Sequence, residues 1–249
     1  MLTLKSILNK SDGLVLLDVF SYSCMNCLRS LGFIIKLNKR YKTYGLNTIF
    51  IHPPEWEFEK NRENILHFLK KLNVKFPLMI DKDRKIIKKL GVNFWPTQIL
   101  IKNNKILYKH IGEGSYKKLE DKIQGILKVK SSRIFNKEPE YSKFPTVYLG
   151  KRKNGKISWL KNKLRFGTIY KAGKWVQKNE FLQHIGKEGS LTILTKGRIV
   201  NFVAKSINNQ QIKVNVKLNN KQEKILTINK PQLYKIVDLK DKKSKKLGL

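Results

Sequence analysis

Cysteine, histidine, alanine and acid are all scarce in this sequence, and each scarcity closes off a class of protein. Two cysteines in 249 residues exclude a small scaffold stapled by several disulfides. The four histidines, His52, His67, His110 and His184, show no paired spacing, so the cysteines have no evident partners for a zinc site. No apolar run approaches the ~20 residues of a membrane-spanning helix. Residues 1–10 lack the apolar core of a secretory signal, so the chain as it stands reads as cytoplasmic, with no integral membrane segment. There is no G-x-G-x-x-G, hence no sign of a flavin or nicotinamide site.

Acid is the largest deficit: 18 acidic residues face 53 basic ones, for a net charge of +35. Of the basic residues 45 are Lys and 8 are Arg, and Ala172 and Ala204 are the only alanines. Lys, Ile and Asn abundance without Ala is the signature of codon drift in an AT-rich genome. Arg, the better residue for phosphate forks and base edges, is rare. The charge therefore reads mainly as a solvated surface, which still implies salt-sensitive attraction to polyanions. A hydrophobic content of 41% suffices for a core, and the length suits one large or two ordinary domains.

What the sequence does contain is a focal stretch at 14–27, LVLLDVFSYSCMNC. It reads as a buried strand, a short loop, and a C-x-x-C at the start of a helix. The first sulfur, of Cys24, then sits beside unpaired helix N–H groups and the positive end of the helix dipole, which favour the thiolate. Cys27 lies one turn on, close enough to form a disulfide with it. Since only the thiolate attacks a disulfide, this placement makes Cys24 a candidate nucleophile and Cys27 its resolving partner. Asp18, on the strand below, is a candidate acid/base for the proton of Cys27. Burial would raise its pKa towards neutrality.

The run 18–29, DVFSYSCMNCLR, resembles the D-F-W-x-Y-S-C-x-N-C-L-R signature of DipZ-type thioredoxin-like proteins, relatives of the TlpA/ResA thiol–disulfide reductases. The resemblance implies a thioredoxin-like α/β fold and reduction of protein disulfides, with electrons from another thiol protein. The only cofactor implied is the redox-active disulfide Cys24–Cys27. It also implies that Pro96, in W-P-T, is a cis proline, and that Trp95, Pro96 and Thr97 form the substrate-binding loop, with the Trp95 backbone pairing with the bound segment. Many such proteins are exported and carry a further hairpin before the segment matching residues 2–8. If the start is incomplete, an extracytoplasmic location follows. Gly32 stands where this family usually has a kinking proline.

Elsewhere in the first half, periodicity predicts a helix over 24–44 ended by Gly45, and a strand over 46–52. A loop with acids at 55, 57 and 59 leads into a helix over 62–72. These acids suit the helix N-terminus, and the segment resembles the H-x-P-E-x-x-F-E insertion of the DipZ group. It reads either as a substrate-facing lid or, preferably, as a loop packed on the sheet by Trp56 and Phe58. A strand over 76–81, a helix over 83–90, strands over 98–101 and 106–111 turned by Asn103-Asn104, and a helix over 116–127 complete the order. Glu113, between two glycines, reads as part of a turn more than as a catalytic acid.

These patterns divide the chain into a thioredoxin-like domain (1–128), a linker (129–143), an all-β sandwich, jelly-roll-like domain (144–240), and a frayed basic tail (241–249). The β half shows nine short strand patterns broken by Gly or Asn, with clean alternation over 212–218. It resembles the carbohydrate-binding-module-like domain of DipZ-type proteins. Trp159, Tyr170 and Trp175 are candidates for a sugar platform, although core packing or protein docking suits them better. The function expected is thus a thiol–disulfide oxidoreductase; the alternative is a non-catalytic two-domain protein binding a glycan, a polyanion or a protein through its β half. A peroxidase is disfavoured because its P-x-x-x-T pattern is absent.

Overall fold

Apart from Asp18, the run LVLLDV at 14–19 is apolar on both faces, and such a strand is stable only when both faces are covered. The computed structural model describes residues 13–134, 146–153, 155–159, 163–208, 210–238 and 244–248. They fall into two units, Met1–Glu140 and Tyr141–Leu249. In the first, β1 (Leu14–Val19) is the central strand and every residue of it is buried. It runs parallel to β2 (Leu46–His52), which pairs in turn with β3 (Leu78–Ile80), and antiparallel to β4 (Thr97–Lys102), which pairs with β5 (Lys105–Ile111). The sheet order is β3-β2-β1-β4-β5. Leu14 and Leu16 pack with α1 (Met25–Tyr41), α2 (Arg62–Lys71) and α4 (Tyr116–Leu127). Val15, Leu17 and Val19 pack on the opposite face with Ile87 of α3 (Lys85–Lys89). This is the thioredoxin-like arrangement, and strand alternation sends Asp18 to the α1 side.

Local chemistry fixes the ends of these elements. Gly45, with φ of 95°, takes the left-handed position after α1 and a short 3₁₀ turn, a conformation glycine reaches without a Cβ clash. Asn61 caps α2 by accepting a hydrogen bond from Glu63 N at 2.8 Å. Asp81 accepts from Ile86 N and Ile87 N at the start of α3. The helix α1 runs unbroken through Gly32. Asn103 and Asn104, both at positive φ, make the β4–β5 turn.

The segment 129–134, expected as linker, is folded against α4. Ile134 N donates to Glu120 Oε2 at 3.0 Å, Gln124 Nε2 donates to Ser131 O at 2.9 Å, and Arg133 pairs with Asp121. The rest of that expected linker lies outside the described residues, as do residues 2–8.

The second unit is a β domain. Its six-stranded sheet has the order β11-β10-β13-β8-β7-β6, and β12 pairs with β9 in a separate ribbon. The strands are β6 (Ile157–Trp159), β7 (Ile169–Gln177), β8 (Leu182–Lys196), β9 (Ile199–Ala204), β10 (Ile212–Leu218), β11 (Lys221–Ile228), β12 (Gln232–Asp238) and β13 (Ser244–Gly248). Val216 and Leu247 from the sheet meet Ile236 and Val237 from the ribbon, with Phe202 and Leu218 against them, so the two layers share one small core. The runs expected as separate strands at 181–185 and 191–194 are one 15-residue strand, β8. Residues 244–248, expected as frayed tail, form β13, which lies between β8 and β10. No helix among the described residues is long and apolar enough to cross a membrane.

Candidate active site

Cys24 is the N-cap of α1, with extended backbone angles (φ −83°, ψ 117°). Its sulfur therefore sits at the end of the helix where N–H groups lack intrahelical partners. The thiol of Cys27 hydrogen-bonds to that sulfur and is the largest influence holding the Cys24 thiol below its ordinary pKa; the N–H groups of Cys27 and Asn26 add to it, against the opposing effect of burial. Cys27 is 1% exposed. Burial first, and the neighbouring Cys24 second, push its thiol well above the usual value. The pair is thus polarised: one sulfur favours the anion, the other keeps its proton.

Asp18 lies beneath, 1% exposed. Its Oδ1 accepts from Gln98 Nε2 at 2.9 Å, across the β1–β4 pairing. Among the described residues its Oδ2 has no hydrogen-bond partner. Burial pushes the Asp18 carboxyl up to about 7, and its charge in turn raises Cys27.

The Trp95–Pro96 peptide is cis, and Trp95 O faces Cys24 Sγ at 3.9 Å. Pro96 and Thr97 are buried. Thr97 Oγ1 donates to Phe94 O at 2.6 Å, so this side chain shapes the loop from inside. Phe94, just before Trp95 in the chain, is an apolar ring left 68% exposed.

Three further groups hold the loop and helix that carry the dithiol, and no motif in the sequence pairs them with the residues they hold. Arg29, one turn after Asn26, donates to Asn26 Oδ1 and forks onto Glu113 at 2.6–3.0 Å. The glycine-flanked acid is therefore a buried counter-ion. His52, at the end of β2, accepts from Tyr22 N at 3.4 Å through Nε2. Burial lowers its pKa to about 4, so it stays neutral. Glu59 is the third. It is fully buried, and its Oε1 accepts from both Ser21 Oγ and Ser23 Oγ at 2.6 Å. Burial raises its pKa. A signal existed in S-Y-S-C: two hydroxyls flanking a buried aromatic before the nucleophile need an acceptor.

Among the described residues no cluster of His, Cys, Asp and Glu is placed to hold a metal ion. The three candidates for a sugar platform, Trp159, Tyr170 and Trp175, are not all exposed. Trp159 is 61% exposed, but Tyr170 is 3% exposed and the Trp175 indole donates to Ala172 O.

Residues 2–124 match the Redoxin family. The chain is 30% identical over 125 residues to the DipZ protein of Mycobacterium bovis, an overlap of 50% of this chain and 18% of that protein. It is 33% identical over 113 residues to the thiol-disulfide oxidoreductase ResA of Bacillus cereus, covering 45% of this chain and 62% of ResA. The chain thus spans less than a fifth of DipZ and under two thirds of ResA. Among solved structures, the exposed lipoprotein thioredoxin of Streptococcus pneumoniae aligns with 22% identity over 47% of this chain and 87% of its own, at a TM-score of 0.42.

Proposed function

Given that the N-terminal half of this chain is a redoxin domain of the TlpA/DipZ type, we propose that the protein reduces protein disulfides through its Cys24–Cys27 dithiol. The Cys24 thiolate attacks one sulfur of the substrate disulfide. A Cys24–substrate disulfide forms, the substrate's own S–S bond breaks, and the departing sulfur takes a proton. Cys27 then gives its proton to the Asp18 carboxylate and attacks the Cys24 sulfur, and the second substrate sulfur leaves as a thiol by taking that proton back from Asp18. The substrate has gained two electrons and two protons, one from solvent and one from Cys27 by way of Asp18, and a Cys24–Cys27 disulfide remains for a dithiol donor protein to reduce. The substrate segment enters beside the Trp95 carbonyl.

The observation that carries this reading is the opposed pair of thiols, Cys24 lowered and Cys27 raised, above a buried carboxylate with one unpartnered oxygen. A proton acceptor near pH 7 is matched to the task of activating a buried resolving thiol. The test is trapping. Incubated with oxidised insulin, Cys27→Ser accumulates a mixed disulfide on Cys24, seen by mass spectrometry, whereas Cys24→Ser gives none. Equal adducts on both variants would end the proposal.

A further inference from the structure

We propose that Glu59 is a positioning residue for disulfide exchange: its buried carboxylate ties the loop of Cys24 to the loop of Trp95. The inference rests on the reading just given and concerns the acidic insertion, which the mechanism above leaves unused. One oxygen, Oε1, holds Ser21 and Ser23, the residues on either side of Tyr22 and directly before the nucleophile. The other, Oε2, accepts from Glu55 N at 2.6 Å. The Glu55 carboxylate in turn accepts from Trp95 Nε1 at 3.2 Å. Arg84 secures the same place from the far side: its guanidinium lies 5.5 Å over the Trp95 ring and donates to Pro54 O at 2.6 Å. One continuous chain of hydrogen bonds therefore runs from the Cys24 loop through Glu59 and Glu55 to Trp95. The two loops it ties are the ones that bring Cys24 Sγ against Trp95 O at 3.9 Å, beside which a substrate segment must lie.

A fully buried carboxylate persists only when donors surround it, and Glu59 has three. A surface acid steadying a helix end needs none of them. The insertion is accordingly a strut, fixed by its own backbone, and not a flap over the site. Placement of reacting groups is worth a great deal: a shift of about 1 Å can lower a rate by roughly 10²-fold.

The two arms can be cut separately. In Glu59→Gln the amide oxygen still accepts from both serines, but the amide NH₂ opposes Glu55 N–H, donor against donor. In Ser21→Ala/Ser23→Ala the other arm is lost. Insulin reduction with dithiothreitol as electron source should fall by about 10- to 100-fold per folded molecule in each variant. Combining all three changes should add no more than about twofold, because links in series fail at the first break. Iodoacetamide, which needs only the thiolate, should alkylate Cys24 within about twofold of the wild-type rate. Losses that multiply, turnover within twofold of wild type, or alkylation falling in step with turnover each overturn the strut.

A second readout is independent of turnover. The Trp95 indole N–H resonance, identified through Trp95→Phe, should move in Ser21→Ala/Ser23→Ala although among the described residues neither serine hydrogen-bonds to Trp95. An unmoved resonance overturns the tie whatever the activity. A wild type that fails to reduce insulin while that resonance shifts would overturn the catalytic reading alone.

Discussion

Asp18, His52, Glu59, Glu113 and Glu120 are all buried in the first unit, whereas the buried polar side chains described in the second are the hydroxyls of Thr192, Thr195 and Ser206. The contrast extends to the surface. Of the 18 acidic residues only Glu180, Glu188, Glu223, Asp238 and Asp241 fall in the second unit, so that unit carries the greater share of the positive excess. Burying ionisable groups is costly unless each has partners, and natural proteins concentrate that cost where chemistry is done. The first unit is built around a reactive centre. The second is built around its own packing, with one small shared core, and keeps its charge in water.

The largest effect expected from this contrast is on turnover. Cys24→Ala should lower insulin reduction by at least about 10³-fold, as loss of a nucleophile does. Val216→Ala, in the core of the second unit, should leave turnover per folded molecule within about twofold. A parallel loss would mean that the β domain takes part in the chemistry.

Next comes Asp18→Asn, with two signatures of opposite sense. Turnover should drop on the order of 10²-fold, the scale of a lost general base. Stability should rise at alkaline pH. The carboxyl ionises at 3.8 when unfolded and at about 7 when folded, so between those values the native state holds the extra proton. Its contribution is intact below about pH 4 and lost as pH rises to about 7, up to about 4 kcal/mol. The amide that replaces it has nothing to ionise. Urea unfolding at pH 4 and pH 8 should therefore show the variant gaining on wild type only at the higher pH. His52, lowered to about 4, acts in the reverse direction, costing stability as pH falls from about 6.5 to 4.

Core truncations come third. Leu16→Ala, beneath α1, should destabilise the first unit by about 3–5 kcal/mol, and Val216→Ala the second by about 2 kcal/mol. Two separate unfolding transitions, each shifted by only one variant, would show that the units are energetically independent. Smallest is the charge effect. Lys213→Glu/Lys217→Glu should lower the salt needed to elute the chain from heparin more than Lys117→Glu/Lys118→Glu does, since fewer acids offset the lysines in the second unit. Equal shifts would assign the charge to a uniformly solvated surface.

Much of the first unit was legible because its signals are local. The apolar run at 14–19, the glycine at 45 and the Asn-Asn turn each act through their own few residues. Strand β2 and helix α4 begin and end where periodicity placed them. The C-x-x-C over a strand acid was legible for the same reason. What escaped was long-range: Ser21 and Glu59 are 38 residues apart and Arg29 and Glu113 are 84 apart, so no spacing rule connects them. In the second unit the glycines at 186 and 189 read as turns, yet β8 runs through both. There Gly189 lies against His184 and Trp175, where a Cβ would meet the imidazole at 2.5 Å. Gly189 thus answers to the packing of His184 against Trp175, a cross-strand pair that a one-dimensional pattern does not encode.

The position of β13 bears on how the polypeptide comes off the ribosome. The N-terminal sheet is assembled from residues before Gly112 and is available to fold early. The six-stranded sheet has β13 as its third strand, joining β10 to β8, so its two halves stay apart until residues 244–248 emerge. A translational stall or a nonsense codon ahead of residue 244 would thus release a finished redox module attached to an open-edged β half, with the unpaired margins of β8 and β10 exposed to aggregation.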